Sequence, residues 1–140
     1  MEENRFKLYV FDVGMLGALS NLAPKTILEY DYGTYKGYFA ENFVIQEFVS
    51  TDCNNLYSWQ EGRTEVEFVR NMDGDILPIE VKSGNVTHAK SLQKFVEKYK
   101  SKYRTIMSGR PLKIDVRNGV HSYPLYLASQ FPIIYQNVLF

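Results

Sequence analysis

The sequence predicts a mixed α/β domain, of the α+β kind in which helices flank a sheet, on three observations. Apolar residues recur at helical spacing over residues 37–50 and again over 87–100, which predicts two amphipathic helices. Between them lie three short segments that alternate apolar and polar residues, which predicts a three-strand meander. With 140 residues, 45% of them hydrophobic, the chain can bury a substantial core, and we expect residues 1–140 to form a single domain.

The N-terminal part predicts a strand, a helix and a loop. Residues 6–11 form an apolar, aromatic run that we expect to be a buried strand. Asp12 follows, and its carboxylate can accept hydrogen bonds from the free amides of a helix over residues 13–20. Tyrosines scattered between glycines over residues 29–38 predict a loop before the first long helix.

The meander is predicted over residues 56–60, 65–70 and 76–83. Asp73 and Gly74 lie between the last two segments, and this pair is typical of the tight turn of a β-hairpin. We therefore expect the second and third strands to lie side by side.

The remaining sequence predicts one helix and two strands. Thr87 is expected to cap a helix that runs to about residue 100, and strands are expected over residues 104–108 and 120–127. The tail over residues 131–140 is too apolar to extend into water, so we expect it to dock on the domain.

Charge and composition narrow the function classes. Sixteen Lys and Arg balance sixteen Asp and Glu, so the chain lacks the overall positive charge of many nucleic-acid binders, and such binding would need a local patch. The lone Cys53 cannot form an internal disulfide, and the sequence has neither a signal-peptide pattern nor an apolar run of membrane-spanning length. We expect a soluble, cytoplasmic protein with no membrane partner.

An acid lies within the apolar stripe of the first long helix. At about 100° per residue, Glu41 falls in the arc of Val44, Ile45 and Phe48, the stripe that we expect to face the core. A carboxylate buried alone would be costly or would take up a proton, so a nearby cation or a set of donors is implied. The alternative is an ordinary solvated glutamate.

Strand alternation groups further charged side chains. Residues two apart in a strand share a face. In the third strand, Leu77, Ile79 and Val81 therefore take the core face, and Glu80 and Lys82 share the other.

In the second strand, Val66 and Phe68 form the apolar set, which places Glu65 and Glu67 on the opposite side. If these two strands pair through the predicted hairpin, Glu67 comes near Glu80. A solvated sheet face is the alternative, but it would not explain an acid in the apolar stripe of the helix.

Three carboxylates and a lysine suit metal-dependent hydrolysis of phosphodiesters. Mg²⁺, or Mn²⁺ in its place, prefers oxygen ligands, and we expect Glu41, Glu67 and Glu80 to provide them. The metal would neutralise phosphate charge and lower the pKa of an attacking water. Lys82 would act as the catalytic base, orient that water or stabilise the developing negative charge, with Glu80 and Glu67 as its catalytic neighbours.

These residues carry a resemblance to known families. Glu67, the Glu80-x-Lys82 pair and Glu41 on a preceding helix resemble the PD-(D/E)xK arrangement of restriction-endonuclease-like and Holliday-junction-resolvase-like nucleases. The wider sequence resembles the DUF4143 domain, which is found at the C-terminus of a family of bacterial and archaeal AAA-type ATPases. The stretches that carry this second resemblance, in chain order and covering nearly the whole chain, are residues 7–14, 41–44, 65–69, 78–84 and 124–128.

The resemblance implies a restriction-endonuclease-like mixed sheet flanked by helices, with Glu41, Glu67, Glu80 and Lys82 as its site. It also implies an AAA-type ATPase domain as a partner, in cis or in trans, since this chain has no P-loop sequence of its own. Family members usually carry Asp where this chain has Glu67, and no Pro-Asp pair precedes it. The extra methylene of Glu67 places its carboxylate farther from the backbone than that of an aspartate.

Two function classes remain open at this stage. One is a divalent-metal-dependent nuclease, or a nuclease-like domain that binds nucleic acid, and the intact Glu80-x-Lys82 pair favours it. The other is a non-catalytic module that docks an ATPase, a protein or nucleic acid, and the neutral net charge and Glu67 favour it. The sequence does not decide whether the chain is an enzyme, and the aromatic tail could also pair with a second copy in a homo-oligomer.

The second helix adds a further signal with two interpretations. Lys90, Lys94 and Lys98 recur every four residues on the face opposite Leu92 and Phe95. A solvated helix face is the more common meaning, and a stripe that contacts phosphates beside the acidic site is the alternative.

Overall fold

A computed structural model of the chain describes residues 6–29, 33–51, 55–72, 74–84 and 89–133. Within these residues the fold is a mixed α/β arrangement, as predicted, with helices flanking one six-stranded sheet. The helices are α1 (Val13–Leu19), α2 (Pro24–Leu28), α3 (Lys36–Ser50) and α4 (Lys90–Tyr99). The strands are β1 (Leu56–Glu61), β2 (Thr64–Met72), β3 (Asp75–Val81), β4 (Arg104–Ser108), β5 (Lys113–Asp115) and β6 (Val120–Pro124).

The sheet has the strand order β1-β2-β3-β4-β6-β5. The meander β1-β2-β3 is antiparallel, as predicted, whereas β3 pairs with β4 and β4 with β6 in parallel. Parallel neighbours need a crossover connection, and α4 provides the one between β3 and β4. The short strand β5, which the sequence analysis missed, closes the far edge antiparallel to β6.

Two apolar clusters cover the two faces of the sheet. On one face, α3 packs through Ala40, Val44 and Phe48 against side chains that include Ile79 of β3. On the other face, α4 packs through Leu92 and Phe95 against side chains of β2 and β4. Leu77, Ile79 and Val81 all belong to the α3 cluster, so the predicted core face of β3 is confirmed.

The N-terminal apolar run is not the buried strand that the sequence predicts. Residues 6–10 have no regular secondary structure. Three large side chains of the run are 80%, 87% and 89% exposed, namely Phe6, Leu8 and Phe11. The segment lies against polar side chains of α3 rather than in the sheet: the Asn42 amide donates to the Val10 carbonyl at 3.0 Å and accepts from the Val10 N–H at 2.8 Å. The backbone of Val10 is thus satisfied without a neighbouring strand.

Both predicted helix starts can be compared with the structure. Asp12 caps α1 as expected, accepting from the Met15 N–H at 3.0 Å. The second amphipathic helix begins at Lys90, with Ala89 at the cap position and no side-chain cap. Thr87, the predicted cap, lies outside the described residues, as do Asp73 and Cys53.

The strand predicted over residues 120–127 is too long. It ends at Pro124, and a 3₁₀ helix follows over Leu125–Gln130. Proline has no N–H to donate to a strand ladder, so pairing stops there. Of the predicted docking tail, Phe131 is buried in the α3 cluster, and residues 134–140 are outside the described part of the chain.

Candidate functional site

A β-bulge in β2 shapes the region around the predicted acids. The register between β1 and β2 shifts between Tyr57 and Trp59, because β2 has one extra residue there. As a result, Val66 packs in the α4 cluster, whereas Phe68 packs in the α3 cluster. The prediction that these two residues share one face is therefore wrong, since alternation is interrupted at the bulge.

Glu67 lies in this bulge and bonds to the neighbouring strand. The Val81 N–H donates to Glu67 Oε2 at 3.3 Å. The ladder between β2 and β3 extends only to the Phe68 and Ile79 pair, so the carboxylate takes the place of a backbone carbonyl beyond it. Burial, and then the neighbouring charges of Glu80 and the more distant Glu41, raise the pKa of Glu67 to about 7.

Glu80 of β3 contacts Lys82, which directly follows the strand, so the pair forms as alternation predicts although β3 ends at Val81 rather than at residue 83. Lys82 Nζ lies 2.5 Å from Glu80 Oε1, and Glu80 is only 2% exposed. Burial alone would lower the pKa of Lys82, but the hydrogen bond and charge of Glu80 raise it above its usual value. Lys82 is therefore a charged ammonium at neutral pH.

The second oxygen of Glu80 is left unpaired. Glu80 Oε2 is buried and has no hydrogen-bond partner within the described part of the chain. A buried polar atom without a partner is unusual in folded proteins and needs an explanation. The single lysine beside Glu80 therefore satisfies only half of this carboxylate.

Glu41 is half-buried beside the core row of α3, and a cation does accompany it. Lys7 Nζ lies 3.1 Å from Glu41 Oε2, and the Tyr9 hydroxyl donates to the same oxygen at 3.4 Å. Lys7 also binds Glu65 of β2 at 2.5 Å. Sequence reasoning correctly required a cation near Glu41 but did not find Lys7, because nothing in a linear pattern pairs residues 34 positions apart.

The four predicted site residues act on one another electrostatically. The charges of Glu80, Glu67 and Glu41 all contribute to the raised pKa of Lys82. The three acids do not, however, form a ready metal site: among the described residues, no group of three or more His, Cys, Asp or Glu side chains is arranged to hold a metal ion.

The arrangement fits a cation held by fewer protein ligands. Magnesium sites commonly use one or two carboxylates together with substrate phosphate and water. Glu67 and Glu80, on adjacent strands, would supply two carboxylates, and Glu80 Oε2, which has no hydrogen-bond partner among the described residues, would be one of the ligand atoms. Glu41 is engaged by Lys7 instead.

The lysine stripe of α4 divides between two environments. Lys94 and Lys98 bind Glu61 of β1 at 3.2 and 2.6 Å, which agrees with the interpretation as an ordinary exposed helix face. Lys90 instead lines a pocket at the start of α4.

Comparisons with known proteins place this fold in a family. Residues 36–127 match the family described as Domain of unknown function (DUF4143), which is more than half of the chain. The chain belongs to the DUF4143 family. A search of curated proteins and a search of solved structures each found no match.

The matched span of this DUF4143 domain starts at the first residue of α3 and ends within the 3₁₀ helix. It therefore contains Glu41, Glu67, Glu80 and Lys82 but not Lys7. The family description assigns no activity to these residues.

In the part of the domain that the structure describes, no helix has both the length and the apolar character needed to cross a bilayer.

Proposed function

We propose that this DUF4143 domain is a nuclease-like domain of the restriction-endonuclease-like type that hydrolyses phosphodiester bonds of nucleic acid with a divalent metal ion. The single observation that carries the proposal is the Glu80 carboxylate. It is buried, it contacts one lysine through one oxygen, and its other oxygen has no partner among the described residues.

A purely structural role explains Glu80 poorly. Burying a charged group is costly unless it is paired and hydrogen-bonded on all sides. Glu67 lies on the adjacent strand and adds a second carboxyl group of the same sign rather than a donor. A site that keeps two acids together with one unsatisfied oxygen is organised to accept a cation.

Glu67 and Glu80 would hold Mg²⁺ or Mn²⁺, and Glu41 would join them if it exchanged Lys7 for the ion. Such an ion neutralises phosphate charge and lowers the pKa of a bound water. Lys82, whose pKa the hydrogen bond and charge of Glu80 raise in the absence of a metal ion, would act as an electrostatic partner that orients the attacking water or stabilises negative charge, or as the catalytic base once a bound ion lowers its pKa.

The proposal is tested by metal binding and by cleavage. Calorimetric titration with Mn²⁺ should show binding by the wild type, strong weakening in Glu80→Gln, and no change in Glu61→Gln, a matched substitution on an exposed acid of β1. With Mg²⁺ or Mn²⁺ present, the wild type should cleave DNA or RNA. We expect Lys82→Ala to reduce the cleavage rate by about 10²-fold or more.

Two results would contradict the proposal. The first is an absence of Mn²⁺ binding at millimolar metal, which would favour a non-catalytic module. The second is cleavage that is the same in Lys82→Ala as in the wild type, which would remove the role given to that residue.

One observation favours the second function class, a binding or assembly module. Exposed apolar side chains recur along the N-terminal segment, α1 and the start of α3. They are Phe6, Leu8, Phe11, Met15, Leu19 and Tyr38. Exposed apolar patches of this kind often mark docking surfaces. An AAA-type ATPase domain, in cis or in trans, is the partner that the family resemblance suggests, and a second copy of the chain is the alternative.

A further inference from the structure

A basic pocket lies on the half of the sheet beyond α4. It encloses about 420 Å³ and is bordered by the start of α4 and by β4, β5 and β6. Four cationic side chains and one carboxylate line it, namely Lys90, Arg104, Arg110, Lys113 and Asp115. In a chain with sixteen charges of each sign, this is the kind of local positive patch that binding to a polyanion requires.

The single carboxylate leaves the pocket positive. Asp115 accepts hydrogen bonds from the Asn118 backbone N–H at 3.1 Å and from its side-chain amide at 2.9 Å, so it stabilises its own turn. Arg104 donates to Gln93, which is a neutral partner. Arg110 has a further partner, and even when it is left out of the balance, Lys90, Arg104 and Lys113 against Asp115 leave a net charge of two in the lining.

The sheet register places this pocket on the same face as Glu80. Glu80 is opposite Ile106 of β4, Ile106 is opposite Ser122 of β6, and Ser122 is opposite Lys113 of β5. Residues that are opposite one another in adjacent strands point to the same side of a sheet. Three steps of about 4.8 Å put Lys113 about 14 Å from Glu80 along this row.

An acidic centre by itself repels the substrate that it is proposed to cut. Carboxylates at Glu67 and Glu80 and phosphates on nucleic acid carry charge of the same sign, so attraction has to come from elsewhere on the same face. A separation of about 14 Å corresponds to roughly four nucleotides of a B-form strand at about 3.4 Å each. Because α4 covers Ile106 in the middle of this row, we expect a strand that reaches both places to pass outside α4 rather than along the sheet.

We infer that the basic pocket lined by Lys90, Arg104, Arg110 and Lys113 binds the phosphate backbone of nucleic acid and holds a neighbouring phosphodiester against Glu80 and Lys82. The second half of this statement rests on the proposed function. The first half stands on the pocket, its charge and its place in the sheet.

The experiment measures binding without metal, so that it does not depend on catalysis. A fluorescein-labelled DNA duplex and its single strand are titrated with the wild type in EDTA at several salt concentrations, and anisotropy gives the Kd. The test variant is Lys90→Gln with Lys113→Gln, two lysines that line the pocket. The control is Lys94→Gln with Lys98→Gln, which removes the same charge from α4 residues that do not line the pocket.

We expect the test variant to weaken binding about tenfold and to lower the salt slope of log K by about 1.8, as expected for the loss of two phosphate contacts. The control should remain within about twofold of the wild type. Glu80→Gln should bind DNA in EDTA at least as tightly as the wild type, because it removes a repelling charge.

Several outcomes would overturn the inference. The first is that the wild type does not bind DNA in EDTA, and the second is that the test and control variants weaken DNA binding equally. The third is that the wild type binds a polyglutamate peptide as tightly as DNA, which would indicate that the pocket binds an acidic protein segment instead. Failure of the proposed function would be distinguishable, because the wild type would then bind DNA in EDTA but would neither bind Mn²⁺ nor cleave nucleic acid.

Discussion

Glu61 and Glu67 lie six positions apart on the β1-β2 hairpin and have opposite environments. Glu61 contacts two lysines of α4, and those hydrogen bonds, first from Lys98 and then from Lys94, lower its pKa. Glu67 is half-buried in a bulge, where burial and the charges of other glutamates raise its pKa to about 7. The same residue type is thus stabilised as an anion at one place and destabilised as an anion at the other.

This difference separates a structural acid from a candidate functional one. An acid that stabilises a fold is supplied with cations by its neighbours, as Glu61 is by α4. Three carboxylates, those of Glu41, Glu67 and Glu80, act on the charge of Lys82. Of these three, Lys7 pairs only with Glu41. A group of acids with too few cations, one of which has a raised pKa, is more typical of sites that receive charge from a ligand.

The largest effect is expected for Glu67→Gln when the free energy of unfolding is measured as a function of pH. The folded pKa of about 7 is above the ordinary value of 4.5, so the folded state holds the proton more tightly than the unfolded state. Stability from this group is full below about pH 4.5 and is lost as pH rises through 7, by up to about 3 kcal/mol. Glu67→Gln should therefore match the wild type near pH 4.5 and exceed it at pH 8 in urea denaturation.

The control for this prediction is Glu61→Gln, which should have the opposite sign. The lowered pKa of Glu61 means that its charge stabilises the fold at neutral pH and stops doing so as pH falls. If Glu67→Gln is less stable than the wild type at pH 8, the environment assigned to Glu67 is wrong.

A smaller effect is expected for Lys7→Met, which keeps an unbranched apolar side chain and removes the charge. It leaves the half-buried Glu41 without its lysine, so we expect a loss of about 1 kcal/mol in the free energy of unfolding. If Glu41 is a third metal ligand, the same variant should bind Mn²⁺ more tightly by calorimetry. Unchanged Mn²⁺ affinity would restrict the metal ligands to Glu67 and Glu80.

The smallest effect is expected for Lys98→Met. Its pair with Glu61 is exposed, and exposed ion pairs contribute little to stability because water and salt screen them. The melting temperature should change by no more than about 2 °C, and Mn²⁺ titration should be unaffected. A large loss of stability here would remove the contrast between the two glutamates.

Much of the fold is predictable because its main elements are periodic. Helices α3 and α4 and strands β1 to β4 were predicted within a few residues from apolar spacing and turn residues. The five residues of α2 and the three of β5 are too few to show a period, and both were missed. The buried strand predicted over residues 6–11 was wrong because apolar composition predicts burial, whereas the side chains of Phe6 and Leu8 face solvent in this structure.

The site was predictable where a single strand determines it and less so elsewhere. The contact of Glu80 with Lys82 follows from alternation alone. The position of Glu67 depends on a bulge that no alternation pattern contains, and the partner of Glu41 comes from a distant segment. The basic pocket combines α4 with three strands, so its residues show no common spacing in the sequence.

The two hydrogen bonds between the Asn42 amide and the Val10 backbone determine how the N-terminal segment opens. The Asn42 amide bonds to Val10 as a neighbouring strand would, with one bond donated and one accepted, but it makes this pair of bonds at a single residue. Strands in a sheet separate only when a whole ladder opens. Lys7 and Tyr9 hold this segment only through their side chains, and its described backbone bonds to α3 are those at Val10. We therefore expect the Val10 amide hydrogen to exchange with solvent by local opening, whereas the sheet amides exchange only on global unfolding.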